Sequence, residues 1–432
     1  MLRMSHGVVL CALTLLVMGI VMVNSAGLSV RPDPALLNSG VLTPEQFAEA
    51  EARYAPISFE QIFFGRTTIL AVLSLGAMWF GYRMNLERLF TRRGATSPIP
   101  WLLAAIVITL VLVFVPPFGR EVKGSARWIG PPSYGFQPSE LAKWGMLLVI
   151  AWFCVRHADR LASFKRGFLP AIGVVGLVCA LIGKEDLGTA ALVFTTCTLL
   201  LVVGGIRWWH AGLLVPAGAL AAAGAIIANP YRVDRILAWR NPWADAEGIG
   251  YHIIQSMSAI SGGGLAGRGL GNSLQKFGYL PEDTTDFIYA IICEEIGIVG
   301  ALFVVTLYAA MLLCGLAIVT RGARRPEADS IVPPFSRLVG IGVLLTIGIQ
   351  AFINLAVVTG LAPTKGIALP LLSSGGTGWV MTGFSLGLLL SIERNAIARE
   401  RELGIVDEPP GRPTVHRSVG EAAAAEPGAV TT

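Results

Sequence analysis

Ten apolar runs decide what this chain can fold into. They fall at about residues 8–24, 67–82, 101–117, 141–155, 168–183, 189–205, 210–228, 287–319, 338–360 and 376–392. Each is close to the length a helix needs to cross ~30 Å of hydrocarbon. The run after Asp286 is long enough to tilt or to extend beyond the bilayer. Composition agrees, since 54% of the 432 residues are hydrophobic and 14% charged, whereas a soluble domain carries nearer a quarter charged residues. Mean hydropathy is +0.65. The expected fold is an all-α polytopic membrane protein with about ten transmembrane helices. A large outer loop is expected between the seventh and eighth spans. One membrane domain takes residues 1–403, and a tail at 404–432, rich in Pro, Glu, Ala and Gly, is expected to be disordered in the cytoplasm.

The formal charge of +5 is an orientation signal. Arg83, Arg88, Arg92 and Arg93 follow the second span, and Arg156, Arg160, Lys165 and Arg166 the fourth. Arg207 follows the sixth, Arg321, Arg324, Arg325 and Arg337 the eighth, and Arg394, Arg399 and Arg401 the last. Basic loops at alternate ends place both termini in the cytoplasm and leave no reason to invoke nucleic acid. The outer segments are then about 26–62, 118–139, 184–188, 229–286 and 361–375. In the longest of these, Tyr231, Trp239 and Trp243 suit a membrane interface, and the amphipathic stretch from Tyr251 to Ile260 can lie in its plane.

All six cysteines fall inside predicted spans and read as small packing residues. The five histidines have no metal-binding spacing. The glycines from Gly262 to Gly271 lack the Lys-Ser/Thr ending of a nucleotide loop, so a tight outer turn or re-entrant backbone is expected there.

Chemistry concentrates at the outer boundary. Tyr279-Leu280-Pro281-Glu282-Asp283-Thr284-Thr285-Asp286 places carboxylates just before an apolar run, where charge is costly and points to function; helix capping by Asp283, Thr284 or Asp286 is the plainer alternative. Gln137-Pro138-Ser139-Glu140-Leu141-Ala142-Lys143 opens a helix with Pro138 in its first turn. Lys143 lies a turn deeper and needs a partner, and an internal pair with Glu140 would supply it. Lys184-Glu185-Asp186-Leu187-Gly188-Thr189 is a polar break that a simple turn would also explain. Thr364-Lys365-Gly366 leads to Ser373-Ser374-Gly375-Gly376 at a helix start suited to an anion, unless Lys365 merely snorkels. One acid with Arg127, Lys143 and Lys365 fits group transfer from a polyprenyl-pyrophosphate donor to a sugar hydroxyl. From these residues alone it is one option among transporters and transferases.

Taken together, these motifs resemble the SEDS (shape, elongation, division and sporulation) family, which includes FtsW, RodA and SpoVE. The resemblance covers about residues 60–395. It runs from Gly124-Ser125-Ala126-Arg127-Trp128-Ile129 through Asp186-Leu187-Gly188-Thr189, Tyr231-Arg232-x-x-Arg235 and Tyr251-His252-Ile253-Ile254-Gln255-Ser256. It continues with Gly269-Leu270-Gly271-Asn272-Ser273-x-Gln275-Lys276, Thr285-Asp286-Phe287-Ile288, Glu294-Glu295-Ile296-Gly297 and Pro363-Thr364-Lys365-Gly366. It implies a peptidoglycan glycosyltransferase acting on lipid II, with a lipid II flippase or a non-catalytic scaffold of the division complex as alternatives. Thr364-Lys365-Gly366 is closest to the division branch.

The family's essential outer aspartate falls on Asp286. Substrate-binding residues are expected at Arg127, Glu140, Lys143, Asp186, Gln275, Lys365, Ser373, Ser374, Gly375 and Gly376. No protein-bound metal is expected, although a divalent cation (Mg or Mn) assisting the pyrophosphate is left open. The implied partners are a class B penicillin-binding protein transpeptidase and other division proteins. Gly297, Gly300 and Ala301 would offer that transpeptidase's single span a small-residue face, unless these glycines pack within the bundle instead.

Overall fold

The computed structural model describes residues 3–26, 43–45, 48, 64–91, 96–122, 125–131, 135–275, 280–321, 334–374 and 376–402. Most of the first outer segment, Gly124, Lys276, Tyr279, Arg324, Arg325, Gly375 and the tail at 404–432 lie outside the described residues.

Ten long helices answer to the ten apolar runs. They are α1 (Met4–Ala26), α2 (Arg66–Arg83), α4 (Pro98–Leu112), α5 (Pro138–Arg156), α6 (Leu169–Gly183), α7 (Leu187–Val203), α8 (Trp208–Ile227), α11 (Ile288–Val319), α12 (Pro334–Val358) and α13 (Thr377–Glu402). Three shorter helices join them: α3 (Leu86–Thr91), α9 (Pro230–Arg240) and α10 (Tyr251–Gly263). Six of the long helices are long and apolar enough to cross a membrane, and α4 and α7 are shorter apolar helices. The chain is a multi-pass membrane protein.

Local chemistry sets the helix starts. Pro138 occupies the first turn of α5, where its missing amide costs nothing. Asp186 caps α7 by accepting from the Thr189 amide at 3.0 Å and its hydroxyl at 2.9 Å. The segment before α5 holds a small antiparallel hairpin, β1 (Gly119–Val122) with β2 (Ser125–Ile129). The sequence gives no alternating pattern that announces it.

Packing between helices depends on small residues. A Cβ on Gly383 or Gly387 of α13 would stand 2.4 or 2.1 Å from the α2 carbonyl oxygens of Ser74 and Met78, so these two helices meet backbone to backbone.

The long run after Asp286 does not tilt as one rod. It breaks at Gly297, whose φ of 74° and ψ of −166° interrupt α11. The glycine-rich turn after α10 fills the break. The amides of Arg268 and Gly269 donate to the carbonyls of Glu294 and Glu295, both at 2.9 Å, and Ile298 donates to Gly264 at 3.0 Å. That turn is as tight as its glycines imply, with positive φ at Gly264, Gly267, Gly269 and Gly271.

This packing decides between the two readings of the small-residue face. Gly297 and Gly300 are buried, and a Cβ on Gly297 would stand 2.4 Å from the Gly267 amide nitrogen. The small-residue face at Gly297, Gly300 and Ala301 is covered by the chain itself and is not open to a partner helix.

Candidate active site

Two adjoining cavities open at the end of the bundle that carries Asp286. The larger holds about 620 Å³ and is bordered by Arg66, Arg127, Glu140, Asp186, Arg235, His252, Glu282, Thr285, Asp286 and the 366–376 loop, among others. The smaller holds about 200 Å³ and gathers Arg127, Lys184, Arg232, Arg235 and Lys365 against Glu185 and Asp186. Five cations face two carboxylates there, so this chamber favours an anion. The larger one mixes both signs and has room for sugar. Arg127, Asp186, Tyr231, Arg235 and Gly366 border both.

Asp286 stands at the junction. A Cβ on Gly366 would lie 2.9 Å from its Oδ2, so the carboxylate abuts a wall common to the two chambers. The N-cap of α11 is Phe287, without a side-chain cap; Asp286 lies one residue outside the helix. Its backbone carbonyl accepts from Asn354 Nδ2 at 2.8 Å, and the same amide group donates to Ile367 O at 2.7 Å. One α12 side chain therefore ties the aspartate turn to the 366–376 loop. Beside it, Glu282 and Leu371 hold φ of 62° and 64°. Both border the larger cavity, and strain of this kind persists only where its surroundings impose it.

The cations differ in how far they are engaged. Arg127 donates from Nε to Ser125 Oγ at 2.8 Å and lies 3.6 Å from Asp186. Arg232 holds the carbonyls of Gly183, Lys184 and Ala225 and so fastens the ends of α6 and α8 together. Arg235 donates to Thr364 O at 3.2 Å and to the Tyr231 hydroxyl. The Lys365 ammonium makes no hydrogen bond or ion pair with a described residue, although the Lys365 carbonyl accepts from the Ile367 amide at 3.0 Å. Burial draws its ammonium below the ordinary 10.5, Asp186 opposes that, and Arg232 and Arg235 add to it.

Lys143 lies elsewhere than the phosphate reading puts it. Its side chain is 3% exposed and absent from both cavity walls; Nζ donates to Glu140 Oε1 at 2.7 Å and Gln350 Oε1 at 3.0 Å. The internal pair is what forms, leaving Glu140 Oε2 buried without a hydrogen-bond partner among the described residues. Gln275 is also apart. Its amide nitrogens reach Glu294 and Ser258, and it borders neither cavity. Ser373 is buried, with Oγ accepting from the Leu369 amide at 2.8 Å. The Ser374 amide donates to Thr284 O at 2.9 Å, so it is not open to an anion. Gly376 borders the larger cavity.

Sequence reasoning passed over four residues. Arg66 is a cation at the end of the bundle where basic residues are disfavoured, and that exception was its signal. Gln350 and Asn354 are polar residues one helical turn apart within an apolar run. His252 sits in a motif and borders the cavity. Among the described residues, no group of three or more His, Cys, Asp or Glu could hold a metal ion.

Comparison with known proteins places this architecture. The profile of the FtsW, RodA and SpoVE cell cycle proteins matches residues 47–397. The stage V sporulation protein E of Bacillus subtilis (strain 168) is 36% identical over 346 residues, which are 80% of this chain and 91% of that protein. The protein named "Probable peptidoglycan glycosyltransferase FtsW" in Geobacter sulfurreducens is 39% identical over 334 residues, 76% of this chain and 85% of that one. Among solved structures, a chain from a study of polymerization and crosslinking by a peptidoglycan synthase complex aligns with a TM-score of 0.65 and 27% identity, over 90% of this chain and 97% of that one. The rod shape determining protein RodA of Thermus thermophilus shares the fold, with a TM-score of 0.57 and 24% identity over 90% and 96% of the two chains. This chain belongs to the FtsW/RodA/SpoVE family of cell cycle proteins.

Proposed function

We propose that this protein is a peptidoglycan glycosyltransferase that polymerises lipid II into glycan strands at the outer face of the bacterial cytoplasmic membrane, in the division septum. The observation that carries the reading is the Asp286 carboxylate against Gly366, at the wall shared by a basic chamber and a sugar-sized one. The relatives' names agree with it.

In this mechanism the donor's pyrophosphate occupies the smaller chamber, and its sugar reaches the junction. The acceptor sugar enters the larger chamber with a hydroxyl at Asp286. Asp286 takes the hydroxyl proton as the oxygen bonds to the donor's anomeric carbon, while the bond from that carbon to the pyrophosphate oxygen breaks. Lys365, Arg127 and Arg235 hold the charge that leaves with the pyrophosphate. Glu140 offers its open oxygen to a sugar hydroxyl, with Lys143 holding it in place. Asp186 orients Arg127. Ser373, Ser374 and Gly376 shape the rim, and Gln275 supports the turn behind it. No step here is routed through a divalent cation.

The orientation follows from charge. Arg83, Arg88, Arg156, Arg207 and Arg321 gather at the end opposite Asp286, which supports a cytoplasmic position for that end and an outer one for the site. Released strands need crosslinking beside their polymerase, so the partner is a class B penicillin-binding protein transpeptidase, working with other division proteins.

The test uses purified full-length protein with lipid II in detergent. Glycan strands are expected. Failure to form them, together with transfer of lipid II between leaflets of vesicles, would establish a transporter instead; neither activity would establish a scaffold.

A further inference from the structure

His252 has no task in the mechanism above, yet it stands on the wall of the larger cavity with Asp286, Glu282 and Thr285. It lies in the first turn of α10. Its ring is stacked on Phe287, with centroids 6.0 Å apart and planes at 25°. Phe287 follows Asp286 directly and caps α11, so this contact fixes the imidazole beside the turn that bears the carboxylate. Neither ring nitrogen hydrogen-bonds to a described residue. A neutral imidazole carries one donor and one acceptor, and here both belong to a half-buried ring at a chamber large enough for a sugar.

We propose that His252 is a positioning residue for the acceptor: as neutral imidazole it accepts a hydrogen bond from a sugar hydroxyl and holds that sugar at Asp286, and its protonation on acidification switches transfer off. The inference rests on the polymerase reading and deepens it. The transferred proton still goes to Asp286, and His252 neither gains nor loses one in the cycle. Once protonated, both ring nitrogens donate, so the acceptor for the hydroxyl is lost. The new positive charge also stabilises ionised Asp286 and weakens it as a base.

The groups around the ring set when that happens. From α9 come Arg235 and Tyr231, and from the turn before α11 come Glu282 and Asp286, all on the wall of the same cavity. Lys365 belongs to the loop beyond. On α11, Glu294 is bound to Ser273 and Arg268, and Glu295 to Ser25; Asp245, before α10, binds the amides of Gly248 and Ile249. At the cavity, α12 presents the uncharged Gln350. Burial first, and Arg235 second, keep the imidazole below its ordinary 6.5. It is therefore neutral at neutral pH and gains its proton only at pH values below that.

The experiment is the pH dependence of lipid II polymerisation by the full-length protein in detergent, across about pH 5 to 9, for the parent, His252→Gln and His252→Phe. Glutamine hydrogen-bonds without titrating, so His252→Gln should keep the rate within about threefold at the alkaline end and move the acid limb down by about one pH unit or more. Phenylalanine keeps the stacking and loses the hydrogen bond, so His252→Phe should raise KM for the acceptor about tenfold. Titration of the parent's imidazole resonance should share a midpoint with the parent's acid limb, which tests the idea even if a variant folds poorly. An acid limb unchanged in His252→Gln, or an imidazole midpoint far from the parent's limb, overturns the assignment. A parent that makes no glycan at any pH overturns the polymerase reading beneath it.

Discussion

The two ends of the bundle handle buried charge in opposite ways. At the end away from Asp286, Glu393 accepts from the Ser5 amide and Arg321, at 2.8 and 3.4 Å. Glu400 accepts two Arg321 bonds at 2.7 and 2.8 Å. All four carboxylate oxygens are paired, and α1, α11 and α13 are clamped together. At the site end, Glu140 has one oxygen bonded and one bare, Asn354 Oδ1 and Thr377 Oγ1 are buried without partners among the described residues, and Lys365 is uncommitted. The end away from Asp286 clamps helices together, whereas the site end keeps a bare carboxylate oxygen at Glu140, on the wall of the larger cavity. A buried polar group left unpaired is destabilising, and a hydroxyl of the substrate would pair this one.

Asp286 itself aside, the largest effect expected from disturbing the site end is at Asn354. Replacing it with Leu removes the tie between Asp286 and the 366–376 loop, and misplacement on that scale costs about 100-fold in polymerisation rate. The steady-state rate on lipid II measures it, with the melting midpoint in detergent as a check on folding. Lys365→Ala comes next. Loss of a charge-assisted contact should weaken donor use by about 30-fold and leave membrane insertion intact; the rate's dependence on lipid II concentration measures it. Because burial lowers the Lys365 pKa, its ammonium is lost as pH rises, at lower pH than a free lysine. Donor affinity should fall at the alkaline end in the parent, and less so in Lys365→Arg. Gly366→Ala should cost about tenfold, since its Cβ would meet Asp286 Oδ2 at 2.9 Å. Last comes the closed end. Arg321→Met strips two buried carboxylates of their cation, so the melting midpoint should drop by several degrees, while kcat should change less than about threefold. A large loss of kcat with unchanged stability would erase the distinction between the two ends.

The ten spans were legible because hydrocarbon thickness imposes a length on apolar runs, and every predicted run became a helix. Asp286 was legible because a carboxylate at such a boundary is costly enough to demand a reason. Lys143 was not, since spacing gives depth along a helix but not which neighbour it meets; Gln350 comes from a helix some 200 residues later in the chain. Gly297 misled for a related reason. A stripe of small residues looks the same whether it awaits a partner or its own chain, and here the turn at Leu265–Gly267 fills it. The hairpin before α5 escaped notice because two short strands inside a loop leave no periodic trace.

The account's central claim is that the Asp286 carboxylate is the base at the junction of two chambers. Asp286→Asn keeps the shape and the backbone contact with Asn354 while removing the base. Purified Asp286→Asn, correctly folded by its melting midpoint, should polymerise lipid II at least about 100-fold more slowly than the parent. Polymerisation at the parent rate would contradict the claim and move the chemistry away from Asp286.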